Sequence, residues 1–196
     1  MRMSVAAIIV AAGASSRLGH PKQLVLLDGE PLLLRAVRSA QEAGAVPVFV
    51  ILGAYRERIE KAVDLGDATV IANDEWEEGL ASSIRVGVKA AEFEATESAG
   101  VILMTCDQPR VTAGHLRKLI EEFGARDGKA LIASNYAGIR GTPAIFPRRM
   151  FPDLLALHGD KGARGLLTNE KLPVVEVPLQ GGEVDIDRPE DLADLA

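Results

Sequence analysis

Apolar runs of four to six residues recur along the chain, separated by longer stretches whose apolar positions fall three and four apart. Val5–Val10 (VAAIIV) is apolar throughout, the pattern of a strand covered on both faces. Val46–Leu52 (VPVFVIL), Ala68–Ala72 (ATVIA) and Val101–Thr105 (VILMT) repeat it. Ala130–Ser134, Ala144–Phe146 and Val174–Val177 are shorter strand candidates, the first two separated by a turn at IRGTPA. Between the runs, Pro31 opens the helical pattern PLLLRAVRSAQEAG, with proline in the first turn and Gly44 as the stop. Arg56–Val63, Leu80–Ala91, Ala113–Phe123, Phe151–Leu157 and Ala163–Leu167 read as further helices, and Pro189 starts a last one. Repeated β-α-β alternation predicts an α/β sandwich of three layers around a mostly parallel sheet. Right-handed crossovers would then gather the loops after the strands on one edge, where such sheets bind ligands.

At 196 residues, without repeat, linker or low-complexity segment, the chain reads as one domain, 1–196. A net charge of −6 argues against a general nucleic-acid binder, which would carry a basic face. No apolar stretch approaches the roughly 20 residues of a membrane span. The segment after Met1-Arg2-Met3-Ser4 is too short for a signal-peptide core, so a cytoplasmic location is the simplest expectation. Cys106 is the only cysteine, which excludes an internal disulfide, and His20, His115 and His158 lack ligand spacing. Cys106 closes an apolar run with no histidine nearby and reads as core rather than nucleophile. His115 reads as a surface or internally satisfied histidine.

The candidate chemistry begins in the loop after the first strand, VAAGASSRLGHPKQ. It lacks G-x-G-x-x-G, which sets aside a dinucleotide site. It also misses G-x-x-x-x-G-K-[ST], because Gly13 and Gly19 are one residue too far apart and His20 stands at the lysine position. A third pattern, A-A-G-x-S-S-R-x-G-x-P-K, is met at every fixed residue by Ala11-Ala12-Gly13-Ala14-Ser15-Ser16-Arg17-Leu18-Gly19-His20-Pro21-Lys22. This segment resembles the signature of the nucleotidyltransferases related to the molybdenum-cofactor enzymes, the MobA-like and MocA-type NTP transferases. The chemistry suits such a role. A Gly/Ser turn presents backbone N–H groups to an anion, Arg17 can clamp phosphate oxygens in pairs, and Lys22 adds a mobile charge.

The resemblance extends over most of the chain. Asp107, at the end of an apolar strand before Gln108-Pro109, corresponds to the family's metal-binding aspartate. The ending VDIDRPEDL resembles its closing strand-to-helix motif, with Asp185 and Asp187 on one face of a short strand. Asp185 is favoured as second metal ligand, and Asp187 could instead cap the helix begun by Pro189. NDEWEEGLASSIRVG resembles the N-x-x-W-x-x-G-x-x-x-S-[IL]-x-x-G element of the cytidylyltransferase branch, which implies that Ser83 faces the nucleotide and Gly79 lets it approach. Arg140-Gly141-Thr142-Pro143 and Gly159-Asp160-Lys161-Gly162-Ala163-Arg164 resemble the later elements, G-x-P and G-D-x-G-A-R. They imply an acceptor site at Arg140, Thr142, Pro143, Asp160 and Arg164. Thr142 departs from the histidine or asparagine usual before that proline.

The family likeness therefore implies a Rossmann-like fold of the nucleotide-diphospho-sugar transferase type. A nucleotide-binding half would span about 1–110 and an acceptor-binding half about 111–196. The nearest branch is the molybdenum cofactor cytidylyltransferases, with CTP and molybdopterin or molybdenum cofactor as substrates and Mg²⁺ or Mn²⁺ as cofactor. A molybdoenzyme or its chaperone is an implied partner. Arg17 and Lys22 would hold the triphosphate, with Ser15 and Ser16 in the same turn. Backbone groups of Ala11, Ala12 and Gly13 would meet the base. The cytidylyl branch carries A-A-G there and the guanylyl branch A-G-G.

Overall fold

The computed structural model describes residues 3–15, 18–169, 172–186 and 191. Nine strands and six α-helices are assigned among them. They are β1 (Val5–Val10), β2 (Leu26–Leu27), β3 (Glu30–Pro31), α1 (Leu32–Ala43), β4 (Val48–Leu52), α2 (Arg56–Ala62), β5 (Thr69–Ala72) and α3 (Leu80–Glu94), followed by β6 (Gly100–Thr105), α4 (Ala113–Gly124), β7 (Leu131–Tyr136), β8 (Ile139–Pro147), α5 (Phe151–Leu155), α6 (Arg164–Leu167) and β9 (Val174–Pro178). Seven of the strands form one sheet in the order β5-β4-β1-β6-β8-β7-β9, and β2 and β3 form a small hairpin.

The all-apolar reading of β1 is explained by its place between β4 and β6, to both of which it is parallel. Its side chains alternate between two buried layers. Val5, Ala7 and Ile9 pack with Leu33 and Val37 of α1 and Leu116 and Phe123 of α4. Ala6, Ile8 and Val10 pack on the opposite face with Ile84 and Val88 of α3 and Phe151 and Leu154 of α5. Each fully buried Leu, Ile or Phe contributes about 1.5–3 kcal/mol of transfer free energy, so β1 anchors both layers. Because β1, β4, β5 and β6 run in parallel, the loops at 11–22, 53–55, 73–79 and 106–112 leave the sheet at one edge.

Three expectations are corrected. IRGTPA is not a turn but lies inside the nine-residue strand β8. The chain reverses instead at Ala137-Gly138, both at positive φ (48° and 74°), joining Tyr136 to its partner Ile139. The antiparallel pairing of β8 with β6 and β7 makes the sheet mixed, and a register shift between Ala133 and Ser134 accommodates the Gly-Thr-Pro stretch. Pro31 does not start α1; it pairs with Leu26 in the small hairpin and precedes the first helical residue. The segment carrying Asp185 is not a strand. It is a turn at 180–183 followed by residues without regular secondary structure, held where the Ile186 N–H donates to Asp107 O at 2.9 Å. Asp187 and the start of the helix predicted from Pro189 lie outside the described residues, as do Ser16 and Arg17.

Candidate active site

Two loops build the charged centre. Pro21 leads into a single 3₁₀ turn over Lys22–Leu24, and the Lys22 N–H donates to Ser15 Oγ at 3.1 Å, closing the first loop back on itself. The turn aims Lys22 across the end of β6, where Nζ lies 2.6 Å from Asp107 Oδ2. Both side chains are about one-fifth exposed (19% and 18%), so the pair is open to an incoming anion or cation from the edge of the sheet. Next to Lys22, Gln23 is 1% exposed and its amide donates to Ala11 O at 2.6 Å and Gly13 O at 3.3 Å, fixing the start of the same loop.

The Ala11 N–H donates to Ile51 O, so its backbone groups are taken up in the fold and it lies behind the loop face. Ala12 and Gly13 line a cavity of about 310 Å³ together with Trp76, Gly79, Ser83 and Asp160. This cavity takes its shape from Gly79. The φ of Gly79 is 114°, and a Cβ there would lie 2.7 Å from the carbonyl carbon of Gly159 and would collide with Asp160. Only glycine permits the loop at 158–160 to close over the start of α3. That loop is tied down twice more. The Ala81 N–H donates to Gly159 O at 3.0 Å, and Arg85 grips Glu78 with two nitrogens (2.8 and 2.5 Å) while also donating to Leu157 O at 2.9 Å. The Arg85 guanidinium holds the Glu78 carboxyl down at about 2. A larger groove of about 750 Å³ lies across Trp76, lined by Tyr55, Arg56 and Arg58 among others, and contains neither Ser83 nor the Lys22–Asp107 pair.

The predicted acceptor residues lie on β8 (Arg140, Thr142 and Pro143), in the loop after α5 (Asp160) and at the start of α6 (Arg164). Asp160 stands in the wall of the small cavity beside Ser83. Arg140 is committed to Glu176, with Nε 2.6 Å from Oε1. Thr142 O accepts from the Tyr136 hydroxyl at 3.2 Å, and Pro143 O from Ser134 Oγ at 2.6 Å. Tyr136 marks a centre that sequence reasoning missed. Burial raises its hydroxyl above the ordinary value against an opposing hydrogen bond with Gln108, and the charges of Asp185 and Asp107 push it up while Arg164 opposes them. Asp107, Asp185 and Arg164 are therefore electrostatic neighbours of one tyrosine. Residues Gly141 and Gly182 were the available signal, since a Cβ on either would strike its ring or hydroxyl.

Cys106 is buried beside Asp107, and burial pushes its thiol up to about 12, so it carries no thiolate at neutral pH. His115 is buried rather than at the surface, and its Nε2 lies 2.8 Å from Ser134 Oγ. Among the described residues no group of three or more His, Cys, Asp or Glu gathers to hold a metal, and no helix is long and apolar enough to cross a membrane.

A parallel-edge loop carrying a lysine, facing an aspartate at the end of the central strand pair and flanking a small half-polar cavity, is the arrangement of a nucleotidyltransferase. The chain belongs to the family of MobA-like NTP transferase domains, whose profile matches residues 7–174. It is similar to the purine catabolism protein PucB of Bacillus subtilis, with 29% identity over 199 residues covering 94% of this chain and 92% of that protein. It is similar to a probable molybdenum cofactor guanylyltransferase of Opitutus terrae, 29% identical over 150 residues (74% of this chain, 67% of that one). Among solved structures, Rv0371c of Mycobacterium tuberculosis H37Rv superposes with a TM-score of 0.86 at 31% identity, covering 100% of this chain and 98% of the other. The manganese complex of that protein superposes with a TM-score of 0.82 at 28% identity, covering 98% of each chain.

Proposed function

We propose that this nucleotidyltransferase transfers CMP from CTP to the terminal phosphate of molybdopterin, in its molybdenum-bearing form, and releases pyrophosphate. The observation that carries the reading is the Lys22–Asp107 pair at the sheet edge, one loop away from the cavity lined by Ala12, Gly13 and Ser83. The base would sit in that cavity, with the triphosphate running toward Lys22.

An acceptor phosphate oxygen attacks the α-phosphorus. One P–O bond forms there, and the bond to the bridging oxygen breaks, leaving its electron pair on pyrophosphate. The acceptor is already an anion near pH 7, so no general base is required, in keeping with the neutral His115 and the protonated Cys106. Lys22 moves from Asp107 to the phosphates and offsets the charge that grows on the leaving group. Arg17, predicted for the same task, lies outside the described residues. Ser15 holds the return of the loop through the Lys22 N–H.

A divalent cation, Mg²⁺ or Mn²⁺, fits the donor set. Asp107 and Asp185 offer hard carboxylate oxygens, and such ions complete their shells with water and substrate phosphates. Bound there, the ion would neutralise phosphate oxygens during transfer. The manganese complex of Rv0371c supports this assignment by similarity. Tyr136, which feels the charges of both aspartates and of Arg164, and Arg164 itself are the groups proposed to orient an anionic acceptor.

The choice of CTP rests on Ala12, whose methyl group narrows the slot between the loop and Ser83 against a purine. Transfer of GMP to the same cofactor is the second reading, supported by the likeness to the Opitutus protein. Cytidylyl transfer to another phosphorylated acceptor is the third. Pyrophosphate release measured with each of the four NTPs, with and without molybdopterin, separates them. The expected result is release from CTP that depends on the pterin. Faster release from GTP would establish the second reading, and pterin-independent consumption of CTP the third.

A further inference from the structure

We propose that Asn73, at the end of β5, is a positioning residue that fixes the Ser83 hydroxyl as a hydrogen-bond donor into the base cavity. The inference rests on the reading of that cavity as the base site and names the polarity of the group that must enter it.

Asn73 is 2% exposed, and its backbone N–H and both atoms of its side-chain amide are hydrogen-bonded. Its backbone N–H donates to Leu52 O at 2.7 Å. The backbone N–H of Glu75 donates to its Oδ1 at 3.1 Å, so the amide can face only one way: oxygen toward Glu75, nitrogen toward α3. The two amide hydrogens then reach Ser82 Oγ at 2.8 Å and Ser83 Oγ at 2.9 Å. Both serine oxygens therefore act as acceptors toward Asn73, and each hydroxyl proton must go elsewhere. The Ser82 proton goes to Gly79 O at 2.9 Å. Ser83 lines the cavity, and its proton is directed away from Asn73 toward the space bounded by Ala12, Gly13 and Gly79.

The consequence is a recognition rule. The ligand atom that meets Ser83 must be an acceptor, a ring nitrogen or carbonyl oxygen such as N3 or O2 of cytosine, and a donor there would face the hydroxyl proton head-on. Replacing the amide by a carboxylate of the same shape reverses the polarity. In Asn73→Asp the Glu75 contact survives, but the second oxygen accepts from Ser83 and withdraws the donor from the cavity.

Trp76 is the only tryptophan in the chain and lines the same cavity, so nucleotide binding is readable from its fluorescence. CTP with Mg²⁺ is titrated into the unaltered protein, Asn73→Asp, Ser83→Ala and the double variant, with folding checked by circular dichroism. The expected result is a Kd raised about tenfold in each single variant and no further in the double, with kcat at saturation changed less than about twofold. A merely structural or charge-repulsion role for Asn73→Asp would add to Ser83→Ala in the double variant, and that additivity overturns the proposal, as does a folded Asn73→Asp with unchanged Kd. If the carboxylate prevents folding, Asn73→Ala removes the same donor without charge and runs through the same cycle. Failure of the unaltered protein to bind any of the four NTPs overturns the base-cavity reading, and this inference with it.

Discussion

Lys22 Nζ and Asp107 Oδ2 meet at 2.6 Å from opposite ends of an 85-residue separation, one on the loop after β1 and the other at the end of β6. Neighbouring strands bring them together, and the small-residue loop lets the lysine reach across. If the site takes up a divalent cation and a triphosphate as proposed, this ion pair is its resting arrangement. On the proposed reading, phosphate and metal would replace the two partners of this pair.

Lys22→Ala should therefore lower turnover on the order of 100-fold, the scale of removing one preorganised group that stabilises developing charge. The fold should tolerate it, because a partly exposed ion pair contributes less than about 1 kcal/mol. Steady-state pyrophosphate release and a urea melt of the same preparation check both halves. Unfolding of the variant would show that the lysine serves the structure instead.

Gly79→Ala should be damaging for two separable reasons. The added Cβ meets the Gly159 backbone at 2.7 Å, and φ at 114° is strained for any side chain. A loss of roughly 2 kcal/mol in stability and weaker nucleotide binding are expected. Removing the Asp160 side chain in a double variant should restore only part of the loss, since the clash with the Gly159 backbone remains. Thermal melts of the single and double variants decide this, and full rescue by Asp160→Ala would show that only the side chain matters.

Which parts were legible in the sequence follows from how local their causes are. β1, β4 and β6 announce themselves because burial on both faces demands unbroken apolar runs. β8 does not, because Gly141-Thr142-Pro143 carries turn chemistry that pairing with β6 and β7 overrides. The loop motif marked Lys22 and the Asp-Gln-Pro step marked Asp107, but their contact is a property of strand order. Tyr136 gave no local signal, and Asn73 was marked only as the first residue of a motif, without its role. One depends on two distant glycines that make room for its ring, and the other on two serines that begin a helix ten residues later. The surroundings of the acceptor candidates were not legible either: the Arg140–Glu176 pair depends on β7 lying between β8 and β9, and the place of Asp160 in the cavity wall on the loop that meets the start of α3.

Arg85→Met should loosen the loop at 157–160 while leaving α3 intact. It removes the two-nitrogen grip on Glu78 and the bond to Leu157 O but keeps an apolar stem. Hydrogen exchange at Gly159 and Ala81 should become at least about tenfold faster, with little change inside α3. Because Glu78 stays ionised down to about 2, the difference between variant and parent should be as large at pH 4 as at pH 7. A difference that vanishes by pH 4 would place the strap's strength elsewhere.

His115 gives the fold a pH dependence of definite sign. Ser134 Oγ donates to Pro143 O, so the imidazole must donate its Nε2 proton to Ser134, and the ring is held neutral between α4 and β7. Burial lowers its pKa from 6.5 to about 4. Above pH 6.5 the folded and unfolded chains carry the same neutral ring, and His115 contributes nothing to the pH dependence. As pH falls from 6.5 toward 4 the unfolded chain gains a proton that the folded chain does not, so stability falls across that window and levels off below it. At 1.36 kcal/mol per pKa unit the loss is at most about 3.5 kcal/mol. His115→Gln keeps an amide able to donate to Ser134 and removes the titration. It should cost about 1 kcal/mol at pH 7.5 for imperfect packing and then show a flatter stability profile between pH 6.5 and 4 than the parent. Urea melts at half-unit pH intervals read the two slopes directly, and parallel profiles would mean that acid sensitivity resides in other groups.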